Sequence, residues 1–143
     1  MPASRDIPIF VDIFGYLNRA FGPEPLIVVV PKGTVLENPI VIVSLTDTHE
    51  AVFPRIMVHC EENSEAKVVE IQTSSNVEAV ISPVLEVKVG QAARYSHCVV
   101  QNLGAQTWQF SHQAVDAGQD SSAEFFVAGL GGEYARTRTD CRL

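Results

Sequence analysis

Glu62-Asn63-Ser64-Glu65-Ala66, Gly90-Gln91-Ala92-Ala93 and Gly118-Gln119-Asp120-Ser121-Ser122-Ala123 share one pattern. Each is a short run of small and turn-forming residues that opens onto a strand-like segment: Lys67-Val68-Val69, Arg94-Tyr95 and Glu124-Phe125-Phe126-Val127. Small polar residues let the chain change direction within a few positions, and β-branched and aromatic residues favour the pleated conformation that follows. Such a corner, recurring before successive strands, points to a stacked repeat with about two strands per coil, each coil burying its apolar face against the next.

Outward from these corners the same punctuation continues. Apolar runs bounded by Gly, Pro, Asn, Asp and Ser predict strands at 26–30, 40–45, 55–60, 66–73, 83–89, 94–101, 108–116, 122–128 and 133–141. Their centres lie about 11 to 17 residues apart, a range that sandwiches, barrels and solenoids share, so spacing does not choose among them. Tyr95, His97, Val99 and Gln101 alternate with Ser96, Cys98 and Val100, the pattern of a strand with one buried and one partly wet face. One helix is expected over 12–20, where Asp12 offers an N-cap before Ile13, Phe14 and Leu17, and Pro23 and Pro25 end it. The chain thus divides into a helical lead-in, 1–25, and an all-β core, 26–143.

Composition narrows the function. The 143 residues fit one domain, and 46% hydrophobic with 19% charged residues is a folding composition. A formal charge of −7 opposes binding to a phosphate backbone, which excludes nucleic acid as a partner. The apolar runs at 26–30 and 41–43 fall far short of the roughly 20 residues of a membrane span. Residues 1–6 carry no secretion signal, and three widely spaced cysteines, Cys60, Cys98 and Cys141, suit a reducing compartment, so a cytoplasmic location is expected.

The segment from Val30 through Pro31-Lys32-Gly33-Thr34-Val35-Leu36-Glu37-Asn38-Pro39 to Ile40 joins one strand to the next through a Pro-Lys-Gly turn and a Glu-x-Pro-Ile start. With Pro54-Arg55-Ile56-Met57-Val58, the stretch from Gly90 to Gln101, and Gly129-Leu130-Gly131-Gly132-Glu133-Tyr134-Ala135-Arg136, it resembles, in the same order, the core of the SufB/SufD family of iron–sulfur cluster assembly scaffolds. The helix expected before Phe21 resembles the family's lead-in. The resemblance implies a right-handed parallel β-helix, and a scaffold that pairs SufB-type with SufD-type subunits and binds the SufC ATPase through a C-terminal helical region. Leu143 falls where the family core would continue, so the chain is expected to lack that region and to self-associate through the exposed edge of 133–141. The SufD type is preferred, SufB members being richer in cysteine motifs. An iron–sulfur cluster is expected only in the full assembly complex, with none bound by this chain. A carbohydrate-active or carbohydrate-binding β-helix or sandwich is the alternative, and it would need carboxylates clustered along one face, which here are scattered.

No residue is assigned a catalytic or metal-binding role, and no cofactor-binding residue is identified. His59-Cys60 and His97-Cys98 carry ligand chemistry, but adjacent strand residues point to opposite faces, and each pair is expected to be a buried thiol beside an exposed imidazole. Gly129-Leu130-Gly131-Gly132 lacks the following helix of a phosphate loop and is expected to be a tight turn. Glu61-Glu62 is expected in a solvated turn. Ser96, His97 and Asp116 are the residue types of a hydrolytic triad without a sequence motif to join them. Gln101, Trp108, Gln109, His112 and Gln113 are expected on the polar outer face of a sheet.

Overall fold

The computed structural model describes residues 12–143. Its elements are α1 (Ile13–Phe21), β1 (Leu26–Val30), β2 (Ile40–Thr46), β3 (Ala51–Val52), β4 (Arg55–Cys60), β5 (Glu65–Ser74), β6 (Val80–Ile81), β7 (Val84–Val89), β8 (Arg94–Asn102), β9 (Trp108–Ala117), β10 (Ser122–Gly129) and β11 (Tyr134–Arg142). The strands alternate between two parallel sheets. One runs β1-β4-β7-β9-β6-β3 with β11 beside β9, and the other runs β10-β8-β5-β2. The chain therefore winds as a parallel β-solenoid of about four turns.

The corners that suggested the coil set its period. Gly33, Asn63, Ala92 and Asp120 all have positive φ, at 71°, 56°, 54° and 58°, and follow one another at intervals of 30, 29 and 28 residues. They stack: Gly33 N donates to Glu62 O, Asn63 N to Gln91 O and Ala92 N to Gln119 O, each at 3.0 Å. The left-handed conformation suits Gly, Asn and Asp, but an L-alanine in it costs roughly 1–2 kcal/mol. Replacing Ala92 by Gly is expected to raise stability by about 0.5–1 kcal/mol, the relief being partly offset by the freer unfolded chain. Urea denaturation checks this, and a destabilised variant would contradict the strain.

The nine expected strands are present, with two additions, β3 and β6. Pro54 and Pro83 lack the N–H of a ladder donor, so the strand that β9 makes in one piece is split into β3–β4 and β6–β7 in the two preceding coils. Two-residue strands carry no periodicity by which to find them. Asn18 of α1 stitches this break, its Nδ2 donating to Pro54 O at 3.0 Å and Ser82 O at 2.7 Å. Asp12 caps the helix through Oδ1, which accepts from Phe14 N and Gly15 N, and the Phe14 ring stacks on Phe110 with centroids 3.9 Å apart. The part of the lead-in before Asp12 lies outside the described residues.

Register assigns the interior. From the seven-stranded sheet, Val30, Cys60 and Val89 form one inward row and Val28, Val58, Val87 and Val115 the next. From the other sheet come Ala66, Tyr95 and Ala123, then Val68, His97 and Phe125. These rows make the apolar core, nearest the left-handed corners. Farther along the same inward phase the side chains become polar.

Candidate functional site

In β5 the inward phase reads Ala66, Val68, Glu70, Gln72, and in β8 it reads Tyr95, His97, Val99, Gln101. Gln109 and Gln113 face them from β9. All of these polar side chains are buried, His97 to 1% exposure. Buried polar groups must find partners: Gln101 bonds the backbone of Gly131, Gln113 accepts from Thr139 Oγ1, and the other five find one another. The Tyr95 hydroxyl lies 2.6 Å from His97 Nδ1, His97 Nε2 lies 3.2 Å from Glu70 Oε2, Gln72 Nε2 donates to Glu70 Oε1 at 2.6 Å, and Gln109 Nε2 donates to Gln72 Oε1 at 2.7 Å. A single hydrogen-bonded chain thus crosses the coil from one sheet to the other.

Electrostatics orients this chain. Burial first, then the neighbouring Cys60 and Glu70, pushes the Tyr95 phenol far above its ordinary range, so the hydroxyl keeps its proton. Tyr95 therefore donates to Nδ1, and the imidazole proton belongs on Nε2, facing Glu70. Both Glu70 oxygens then accept, the pattern of a carboxylate held by two donors. The two cavities touching the cluster are about 10 Å³ each, far below the roughly 300 Å³ of a small-molecule site. The network fills its space, and its chemistry is to fix the two sheets in register rather than to admit a substrate.

The sequence candidates are distributed otherwise than expected in several respects. Cys60 is fully buried, as expected, and burial pushes its thiol up to about 11, with His59 on the other face but half-buried rather than exposed. The second pair is inverted: His97 points inward and Cys98 is half-buried on the outer face, because the corner at Ala92 puts odd-numbered residues of β8 inside. Gln101, Gln109 and Gln113 are likewise interior rather than on a polar outer face; Trp108 and His112 take the outward phase of β9, where Trp108 is exposed and His112 is buried to 5% exposure. Trp108 Nε1 donates to Glu133 Oε2 at 2.9 Å, and His112 Nε2 lies 2.7 Å from Asp140, which Arg138 holds well below the usual carboxylate range by hydrogen bonding.

Ser96, His97 and Asp116 are not brought together. Ser96 faces outward on one sheet, His97 inward, and Asp116 pairs with Arg142 on the other sheet at 3.0 Å. The three cysteines are equally dispersed, with Cys141 exposed in β11. Among the described residues no group of three or more His, Cys, Asp or Glu is placed to hold a metal ion. The Gly129–Gly132 stretch is a turn held by Gln101, whose Nε2 donates to Gly131 O at 2.8 Å. A Cβ on Gly131 would lie 2.3 Å from Leu103 O, so glycine is required there by the neighbouring coil. Glu61 and Glu62 sit in a turn with Lys32, whose Nζ is 2.7 Å from Glu62. Glu70, Gln72 and Tyr95 were not singled out from sequence. Their one signal was the inward phase they share with Ala66 and Val68.

The fold and its interior thus define the class of structure, a parallel β-solenoid whose two sheets are joined by an internal chain of hydrogen bonds. Residues 42–143 match the sequence model of the family described as "SUF system FeS cluster assembly, SufBD core domain". The chain belongs to this family, and with it to SUF iron–sulfur cluster assembly. Neither a curated protein nor a solved structure gives a significant match. No helix among the described residues is long and apolar enough to cross a membrane.

Proposed function

We propose that this chain works as a SufD-type scaffold, contributing surfaces and rigidity to a cluster-assembly complex in the cytoplasm rather than carrying out bond chemistry itself. The family match over 42–143 carries the reading. The dispersal of its thiols supports the SufD type: Cys60 is sealed in the core, Cys98 faces out of the four-stranded sheet and Cys141 lies on β11, so no two can share an iron. The cluster is then cargo of the whole complex. Its partners are a SufB-type subunit and the SufC-type ATPase, bound by a unit in which a lead-in, 1–25, precedes the core, 26–143.

Co-purification tests this. The tagged chain, co-expressed with SufB-type and SufC-type subunits from one SUF system, is expected to retain the SufB-type subunit through a salt wash. A SufD-type chain should retain it in place of that system's own SufD. Failure to retain either partner would overturn the reading.

A further inference from the structure

Aromatic side chains gather on the outer face of the seven-stranded sheet, toward the last coil. Trp108 and Phe110 take the outward phase of β9, and register sets Trp108 between Val80 on β6 and Tyr134 on β11. The Trp108 ring centroid lies 5.4 Å from that of Tyr134 and 6.4 Å from that of Phe110, which itself stacks on Phe14 of α1. Even so, Trp108 stays 41% exposed and Tyr134 44%. An indole left in water forgoes the burial by which it would stabilise the fold, whereas exposed tryptophan and tyrosine are the side chains that most often anchor a partner. Beside Trp108 opens a groove of about 330 Å³, lined by the indole with Glu78, Val80, Gln106 and Glu133. It lies at the small end of the roughly 300–1,000 Å³ of ligand pockets, with room for one long side chain. The hydrogen bond from Trp108 Nε1 to Glu133 Oε2 holds the indole by its edge.

We propose that this groove docks an arginine side chain presented by a segment of a partner protein. Charge complementarity selects the occupant. The groove carries two carboxylates, Glu78 and Glu133, and no Lys or Arg lines it. Among the described residues neither carboxylate takes part in an ion pair, and the next cations along β11, Arg136 and Arg138, are already held by Asp12 and Asp140. A positive charge for the groove therefore comes from another chain. A guanidinium suits it better than an ammonium, because its plane lies flat on an indole while its N–H groups fork to carboxylates at the rim, and it sheds water more readily. Trp108 then supplies the stacking face, Val80 the contact for the methylene stem, and Glu78 and Glu133 the acceptors. Glu133 accepts on its second oxygen while Oε2 keeps the indole N–H. The chain's formal charge of −7 adds long-range attraction for a basic segment. The proposal does not depend on which SUF subunit the chain represents.

Trp108 is the single tryptophan of the chain, so its indole N–H gives one resonance in a nitrogen–proton correlation spectrum and reports on the groove alone. Titrating the full chain with the blocked peptide acetyl-Gly-Arg-Gly-amide is expected to move that resonance saturably, with a Kd of about 5 mM or tighter. The same peptide with citrulline in place of arginine, which keeps the shape and loses the charge, should bind at least about tenfold more weakly. Glu78→Gln should weaken binding of the arginine peptide about fivefold, and Trp108→Leu, followed on the Val80 amide, about tenfold. Glu124→Gln, the same loss of charge on the four-stranded sheet, should leave it unchanged. Glu78, Trp108 and Glu124 are exposed, and a spectrum otherwise unaltered shows that each variant is folded. An indole resonance that does not move up to about 20 mM peptide overturns the proposal. So does equal binding of the citrulline peptide, since the groove would then read shape and not charge. A Glu124→Gln effect as large as that of Glu78→Gln overturns it too, leaving only attraction to the net charge.

Discussion

Truncating Glu70 to Ala is expected to lower the unfolding free energy by about 3–5 kcal/mol, the range for removing one partner of a buried, hydrogen-bonded polar pair. The carboxylate accepts from His97 Nε2 on one oxygen and from Gln72 Nε2 on the other, and both donors are buried. Alanine leaves each without a partner in a coil whose neighbouring cavities are about 10 Å³, at the lower limit for admitting even one water. Glu70→Gln keeps the volume and one acceptor and should cost less than half as much. Urea denaturation of the two variants beside the wild type checks the order. Equal, small losses would show that the interior chain of hydrogen bonds is not what holds the two sheets in register.

Stability should also fall steeply in alkali. Cys60 has its ordinary thiol value of 9.0 pushed up to about 11 by burial, and the Tyr95 phenol is raised further still by burial, Cys60 and Glu70. For an acid whose value is raised on folding, the native state holds its proton while the unfolded chain releases it. The stabilisation is complete below the unfolded value and is lost as pH rises through the interval above it. Between about pH 9 and 11 the thiol alone contributes a loss approaching 1.4 kcal/mol per pH unit, and Tyr95 steepens it above about 10. Cys60→Ala should flatten the first part of this decline, where Cys141→Ala, on an exposed strand, should leave it unchanged. Chemical denaturation from pH 8 to about 10.5 gives the two slopes, and identical slopes would contradict the burial argument.

The strands and corners were legible because local chemistry decides them. Alternation in Tyr95–Gln101 located the inward phase of β8, and small residues at 62–66, 90–93 and 118–123 located the turns, three of which contain a left-handed residue. The equivalent role of Gly33 became visible only once Glu62 was seen to stack on it. What alternation cannot reveal is polarity on the inside. Gln109 reaches Gln72, which holds Glu70, from the following coil, and Gln101 bonds the backbone of Gly131 one coil on, so their burial is a property of register that appears in no single strand. The same reason inverted His97 and Cys98: alternation says that they face opposite ways, whereas a buried imidazole needs Tyr95 and Glu70 on either side of it, and Glu70 lies one coil away.

The central claim is that this member of the SufBD core family is scaffold, with the cluster as cargo of the complex. Anaerobic reconstitution with ferrous iron and sulfide tests it most directly, comparing the chain alone with the chain bound to SufB-type and SufC-type subunits. The account predicts iron–sulfur absorption in the visible only for the complex. A stoichiometric cluster on the chain alone, abolished by Cys98→Ser, would contradict it.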